Sequence, residues 1–510
     1  MQTLTARGDA ASTGSATWLA RALLAAVLLG SCAWRLACVR AGPDPDTDAY
    51  GHFLIARQLL VTPFELRIHW VWLPLYHVLL SVPVALGATL DHVRQANALL
   101  ATLPPLFLLW GLTRGARSGR RAPGAVDGSR GLDPVHVGAA LLTAASPLLM
   151  QLGTTGQMEV FFCALLTLAV ALLAQERFAA ASLALSALVL TRYEGWAVAA
   201  VVSATLLRRR LFQRAPLGRG GWACVLGPGA CVLAWATLRH LGGEPWLAFI
   251  LDNQAFAERA LDGAARESAT SVPLALARYV AIVPWRTFGL AAVCALWGVG
   301  PTLRREGVWL VAPGAAILVF LTLSSLTRSQ LGLDRHFTSV VPFAAIWVAH
   351  GLGRLVASVV SASKRALSAA AARWLGRLAL APFVLSLAAQ LSDGLGTWLG
   401  ATREALREPR EVARFLRSTS PGARIVCADA AIEVLSELDP RRFSRLPLDR
   451  QLEARLAELA PGQDVYVVQR ARHLRALAGT GAVAYGALEG PPDAFVVLRL
   501  AVPGSAHPGS

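Results

Sequence analysis

Charge is what this 510-residue chain has least of: 16% of its residues are Asp, Glu, Lys or Arg, against 55% hydrophobic. Soluble domains are nearer a quarter charged, so this composition does not suit a soluble chain of such length. Lysine is almost missing, with Lys364 the single one among 48 Lys and Arg residues. The net charge of +16 could suggest nucleic acid. The arginines are not gathered on one soluble segment, however; many fall in short breaks between apolar runs, where they act as orientation signals. No nucleic-acid partner is expected. Cysteine is sparse too. Of Cys32, Cys38, Cys163, Cys224, Cys231, Cys294 and Cys427, six lie in or beside apolar segments, and no CxxC or Cys/His spacing occurs. They read as small core residues rather than ligands or disulfide partners. A Gly-rich phosphate loop between strand and helix is also lacking, as is any repeat of fixed period, which argues against a nucleotide-binding domain and a solenoid.

Apolar runs near twenty residues dominate instead, with a mean hydropathy of +0.49, and indicate an α-helical polytopic membrane protein. The polar residues 1–17 read as a disordered cytoplasmic tail. The run at 18–39 is long and closes without an A-x-A-like site, so it reads as a span rather than a cleaved signal. Further spans are expected at 97–112, 135–152, 159–174, 222–238, 281–303, 308–326, 338–355 and 378–391. Residues 178–207 read as two short helices broken at TRYEG (191–195), and 241–280 as a long external loop. Arginine-rich breaks at 113–130, 208–214, 304–305 and 364–377 fall on one side throughout a count of about eleven crossings. This places the N-terminus in the cytoplasm of a bacterial inner membrane and the C-terminus outside.

Residues 44–77 interrupt this pattern. Three acids (Asp44, Asp46, Asp48) follow the first span, and then His52, Arg57, Arg67, His69, Trp70, Trp72, Tyr76 and His77. Ionisable groups pressed against a bilayer are costly and mark function by default. Residues 48–61 read as an amphipathic helix on the membrane surface, and 72–86, broken by Pro74 and Pro83, as a second surface helix. Thr47 is available to cap the first helix, which leaves Asp46 and Asp48 for chemistry. Asp44, beside two prolines, reads as loop. The arginine count assigns this loop to the outer side, together with Glu159, Arg192, Glu194, Arg335 and His336 from other turns. Their convergence suggests one cavity at a membrane edge. There a carboxylate can act as general base on an acceptor while arginines hold an anionic leaving group. Other roles for these residues stay open: Arg192 and Glu194 as a structural pair, Glu159 as a helix N-terminal acid, His52 and His77 as packing residues.

From about residue 393 the composition turns more charged. ARIVCAD (423–429), DVYVVQR (464–470) and AFVVLRL (494–500) read as strands. EPREVARFLRS, AIEVLSEL, RQLEARLAEL and RHLRALAG read as amphipathic helices. A small α/β domain with a partly parallel sheet is expected at 393–510, after a transmembrane domain at 18–392.

In order and sidedness these motifs resemble the GT-C glycosyltransferases, a superfamily that includes protein O-mannosyltransferases and lipid A aminoarabinose transferases. The resemblance rests on DPDTDAY, WLPLYH (72–77), Arg94, GQME around Glu159, TRYEG around Arg192 and DRHFTSVVP (334–342), and covers residues 18–392. It implies two surface helices in the first external loop and a polyprenyl-phosphate-linked sugar as donor. It also implies transfer at the outer face, with Asp48 as general base and Asp46 as a second carboxylate. His52, Arg57, His69, Tyr76, His77, Glu159, Arg192, Glu194, Arg335 and His336 would contact substrate. The acceptor, whether protein, lipid or glycan, is not specified. This sequence departs from the family at Ala49, where a Glu often follows the Asp, and at Trp72, where many relatives carry a Lys that contacts the lipid phosphate. No cofactor is expected; a divalent metal would need more carboxylates than this cluster offers. The alternatives are a polytopic transporter or flippase of lipid-linked or small substrates, whose polar groups would sit near the midplane in related halves, and a non-catalytic membrane scaffold.

Overall fold

The computed structural model describes residues 5–115, 133–265, 277–327, 333–364, 366–419, 422–427, 429–445, 464–471, 482–487, 491 and 494–501. The chain divides into two compact units, one of residues 1–41 and 55–400, the other of residues 42–54 and 401–510.

The larger unit is helical. Among the described residues, seven helical segments are long and apolar enough to cross a membrane: Trp18–Ala41, Leu90–Thr113, Arg219–Leu241, Arg278–Arg305, Val308–Leu326, Val341–Ser363 and Ala369–Arg417, the last of which extends past residue 400 into the stretch of the second unit. Four shorter apolar helices accompany them: Leu75–Ala85, Pro134–Ala144, Glu159–Ala174 and Phe178–Val189. Read from the sequence, 135–152 is one span; in the structure it is two helices, Pro134–Ala144 and Pro147–Leu152. Proline at position 147 has no N–H to continue the first helix but fits the first turn of the next. The stretch expected as an external loop at 241–280 contains the helix Ala248–Ala265. It buries Ala248, Phe249 and Ala257, while the exposed Asp252 and Glu258 give the segment a loop-like composition. The first helix begins at Thr5. The arginine-rich 116–130 stretch and residues 328–332 lie outside the described residues.

Helices Ala292–Arg305 and Val341–Ser363 cross at glycines. A Cβ on Gly298 would run into the Trp347 carbonyl, and one on Gly351 into the Cys294 carbonyl. Lipid tails are as apolar as leucine, so close backbone contact of this kind is what draws such helices together. The TRYEG break is a real interruption between Phe178–Val189 and Glu194–Phe212. Gly195 is required there, because a Cβ would stand 2.6 Å from the Leu188 carbonyl oxygen. The carbonyl freed at Leu190 accepts the Leu75 N–H at 3.0 Å, which ties the first-loop segment to the break.

The smaller unit carries a five-stranded sheet: β1 (Arg424–Cys427), β2 (Phe443–Arg445), β3 (Asp464–Arg470), β4 (Ala482–Tyr485) and β5 (Phe495–Ala501), in the order β2-β1-β3-β5-β4. β1 pairs in parallel with β2 and β3, whereas β5 runs antiparallel to β3 and β4. The sheet is thus partly parallel. Strands β1, β3 and β5 match the three apolar runs of the sequence; β2 and β4, three and four residues long, are too short to show alternation. Helix Arg407–Arg417 buries Val412 and Leu416 in a core with Ile425, Val468 and Val497. Asp429 caps the helix Ala430–Ser436, accepting from the Ala431 and Ile432 N–H groups. The RQLEARLAEL and RHLRALAG segments lie outside the described residues.

Candidate functional site

The site is built on the turn at 153–158, between helices Pro147–Leu152 and Glu159–Ala174. Backbone carbonyls in an irregular turn at membrane depth need partners from within the protein. Here each one from 154 to 157 has a side-chain donor. Arg94 Nε donates to the Thr154 carbonyl at 2.8 Å, and Asn97 Nδ2 to those of Thr155 and Gln157, both at 2.8 Å. Tyr76 donates its hydroxyl hydrogen to the Gly156 carbonyl at 2.7 Å. Trp398 Nε1 holds the Thr154 hydroxyl at 2.8 Å. Arg35, fully buried, packs its stem against Gly153, and its Nε donates to the Ala98 carbonyl at 3.0 Å. Four helices, those carrying Arg35, Tyr76, Arg94 with Asn97, and Trp398, therefore fix the turn that presents Glu159.

Glu159 in turn holds arginines. Arg192 Nη1 stands 2.8 Å from Glu159 Oε1, and Arg192 Nη2 lies 2.8 Å from Glu194 Oε1. Arg335 Nε approaches the same Glu159 oxygen at 3.4 Å. Both carboxylates are buried, at 3% and 2% side-chain exposure, and Arg192 nearly so at 11%. Burial opposes the Arg192 charge, but Glu194 and Glu159 outweigh it and hold the guanidinium above its ordinary pKa. His336, beside Arg335, is driven the other way. Burial first, then Arg192, Arg335 and Arg278, keep it well below the usual histidine range, so the ring is neutral. Next to it Asp334 is shared by two arginines: Arg278 Nη2 at 2.7 Å and Arg286 Nη1 at 2.8 Å. Four guanidiniums thus meet three carboxylates around the ends of several helices, and Arg278 and Arg286 reach solvent.

A second cluster adjoins the TRYEG break. His69 Nδ1 and His77 Nδ1 lie 2.9 Å apart, both rings buried, so one donates and the other accepts. Burial and the Arg239 cation lower the His69 pKa to about 4. Arg239 is clamped by Glu244 and donates to the Trp70 carbonyl at 2.7 Å, where the backbone takes a positive φ of 50°. Tyr193 donates to the Val71 carbonyl at 2.7 Å. An apolar cleft of about 510 Å³ opens below the break between helices Glu194–Phe212 and Arg219–Leu241, lined by Trp196, Ser203, Val225, Pro228, Leu233 and Trp246.

The sequence candidates therefore fall into three groups. Glu159, Arg192, Glu194, Arg335 and His336 come together as expected. His69 and His77 pair with each other, and Tyr76 serves the turn. Asp46, Asp48 and His52 belong to the smaller unit, and Arg57 to the larger one farther along the same helix, Thr47–Val61. His52 is buried; Arg57 is half-buried. The expectation that Thr47 would cap this helix is corrected. The helix starts at Thr47, and Asp46 Oδ1 accepts the Asp48 N–H at 3.1 Å, as an N-cap does. Asp44 similarly accepts the Asp46 N–H at 3.0 Å. Sequence reading passed over Arg35, Asn97 and the Arg278–Asp334–Arg286 group. The first two carried a usable signal, a polar residue inside an apolar span. Among the described residues no group of three or more His, Cys, Asp or Glu is disposed to hold a metal ion.

Neither a protein-family model nor a curated protein matches the chain by sequence. Its structure is similar to that of ArnT from Cupriavidus metallidurans bound to undecaprenyl phosphate, at TM-score 0.59 and 16% identity over 94% of this chain and 98% of that one. ArnT in the apo state gives 0.55 at 16% identity over 95% and 98%. The apo oligosaccharyltransferase of Archaeoglobus fulgidus gives 0.51 at 13% identity, over 89% of this chain and 70% of that one. These neighbours are GT-C glycosyltransferases, and the fold is theirs.

Proposed function

We propose that this chain is a membrane glycosyltransferase that moves a sugar from a polyprenyl-phosphate-linked donor to an acceptor at the outer face of the membrane. The observation that carries this reading is the Glu159–Arg192–Glu194–Arg335 cluster at a helix break, in a fold shared with a protein solved with undecaprenyl phosphate bound. Arginine forks match phosphate oxygens, and a site with several of them stabilises the charge that develops on a departing phosphate. Arg335, Arg278 and Arg286 are the most accessible of the set and would meet the head group. They would take the place of the lysine that Trp72 replaces. The apolar cleft beside Trp196 would receive the first part of the lipid chain.

Asp48 is assigned as general base. It would take the proton from an acceptor hydroxyl or amine as that group attacks the anomeric carbon. The phosphate leaves from the opposite face, with inversion. Asp46, already accepting the Asp48 N–H, would set the position of Asp48 rather than act on substrate. Two features of the arrangement favour an enzyme over a transporter: the ionic groups cluster at one set of helix ends, and several are locked into mutual salt bridges.

The test is transfer in membranes that contain the full chain, supplied with labelled polyprenyl-phosphate sugar. Wild-type membranes should release polyprenyl phosphate and label one envelope acceptor. Asp48→Asn should lower the rate by at least about a hundredfold, the usual range for loss of a general base. Undiminished transfer in that variant would remove Asp48 from the mechanism. Label retained on the donor in every membrane would remove the glycosyltransferase reading.

A further inference from the structure

The five-stranded sheet has no task in the mechanism above, yet it shares a unit with the segment that bears Asp44, Asp46 and Asp48. Residues 42–54 pack with residues 401–510. One contact between the two stretches falls on a glycine. A Cβ on Gly42 would stand 2.5 Å from the Thr402 carbonyl oxygen and 3.6 Å from the Arg403 Cα. Both are backbone atoms, which cannot swing aside as a flexible side chain can, so position 42 admits only a hydrogen. Thr402 is fully buried.

From Gly42 the chain reaches Asp48 through locked turns. Asp44 accepts the Asp46 N–H at 3.0 Å, Asp46 accepts the Asp48 N–H at 3.1 Å, and Tyr50 donates its hydroxyl hydrogen to the Asp44 carbonyl at 3.2 Å. Asp44, Ala49 and Tyr50 are buried. From Thr402 the chain reaches the sheet just as directly. Leu406 takes a left-handed φ of 53°, which a branched side chain rarely adopts, and turns the chain into helix Arg407–Arg417. Arg410 Nη2 donates back across that turn to the Arg403 carbonyl at 3.3 Å. The helix is then tied to three strands. Glu408 accepts the Phe495 N–H of β5 and meets Arg470 Nη1 of β3 at 3.3 Å, and Tyr485 of β4 donates to Glu411 Oε2 at 3.4 Å. Val412 and Leu416 complete the attachment in the sheet core.

We infer that the α/β unit positions the general base: the sheet, through helix Arg407–Arg417 and the Gly42–Thr402 contact, fixes where Asp48 stands. This rests on the reading of Asp48 as the base, and Gly42 is a positioning residue that acts through it. A base must lie within hydrogen-bond reach of the proton it takes, and a displacement of about 1 Å can cost about a hundredfold in rate. The arginines assigned to the donor phosphate belong to the larger unit, so a shift of residues 42–48 leaves them in place.

Two readouts on the full-length protein test this. In the transfer assay, Gly42→Val should lower kcat by about a hundredfold while the KM for the donor stays within about twofold. In an Asp48→Asn background the same substitution should add no more than about a twofold loss, because residues that act as a unit are not additive. A merely structural role would instead repeat its full cost there. Hydrogen exchange needs no activity and reads the anchoring itself. Val412→Ala, which opens a cavity in the sheet core, should speed exchange of residues 47–54 together with β1 and β3, and leave helix Glu159–Ala174 unchanged. If Val412→Ala does not fold, Gly42→Ala decides, with faster exchange expected at 47–54. Exchange at 47–54 that is unchanged in these variants, or a Gly42→Val loss that repeats in full on Asp48→Asn, overturns the proposal. Wild-type membranes without transfer would remove the glycosyltransferase reading, and the exchange result alone would then decide the anchoring.

Discussion

Removing Arg192 is the most informative single perturbation of the site. The guanidinium stands between two carboxylates buried at 3% and 2%, and Arg192→Ala would leave both without it. Glu159 keeps Arg335 at 3.4 Å, whereas every Glu194 side-chain contact described above is to Arg192. Deleting one partner of a buried ion pair costs about 3–5 kcal/mol, because the remaining charge stays desolvated. Most of that loss should trace to Glu194. Arg192→Ala combined with Glu194→Gln should therefore recover about 2 kcal/mol relative to Arg192→Ala alone, a coupling within the range of double-mutant cycles. Arg192→Lys keeps the charge but cannot fork between two carboxylates, and should fall between wild type and Arg192→Ala. Equilibrium unfolding in mixed micelles reads all four proteins on one scale. A cost below about 1 kcal/mol for Arg192→Ala, the level of an exposed pair, would refute the reasoning. So would a Glu194→Gln change that adds its own cost instead of relieving the first.

Other expectations concern the surroundings of the site. His69 is neutral in the folded protein, with a pKa of about 4 against an ordinary 6.5. The unfolded chain binds that proton first on acidification, so stability falls as pH drops from about 6.5 through 4, by on the order of 3 kcal/mol; melting at pH 7 and pH 4 should show a loss that His69→Gln reduces. Asn97→Ala orphans the buried carbonyls of Thr155 and Gln157 and should cost about 2–3 kcal/mol in unfolding, while Tyr76→Phe, which releases one carbonyl, should cost about 1 kcal/mol. Gly298→Ala drives a methyl group into the Trp347 carbonyl and should cost about 1–3 kcal/mol as the helices part, read as a lower melting midpoint.

The sequence carried the architecture well where one physical rule dominated. Apolar length marked the long helices, the TRYEG interruption was visible as charge inside an apolar run, and three alternating or apolar runs located β1, β3 and β5. It failed where two rules compete at one residue. Proline at 147 is an apolar-run residue by hydropathy and a helix start by geometry, and only the fold shows which prevails. Asp46 read as left for chemistry because Thr47 was available to cap the helix, and the structure puts Asp46 itself in the cap position. The ionic cluster was legible in part. Glu159, Arg192, Glu194 and Arg335 stand out against an apolar background, but which carboxylate each arginine takes depends on helix ends brought together from 33 residues apart and more. Arg278 and Arg286 received no role from the sequence, because the pairing of both with Asp334 joins residues about fifty positions apart.

The docking of the first-loop segment has a consequence for how the protein is made. Val71 receives the Tyr193 hydroxyl 122 residues later in the chain, and the Trp70 carbonyl waits for Arg239, 169 residues downstream. At a synthesis rate of about 5–20 residues per second, the segment spends on the order of ten seconds without these anchors. During that interval His69 lacks Trp235 and Arg239, whose ring stands edge-on to it and whose cation acts on it in the finished protein. The histidine pair is therefore a late product of assembly. A nascent chain stalled before residue 239 should leave this segment open to proteolysis that the completed chain resists.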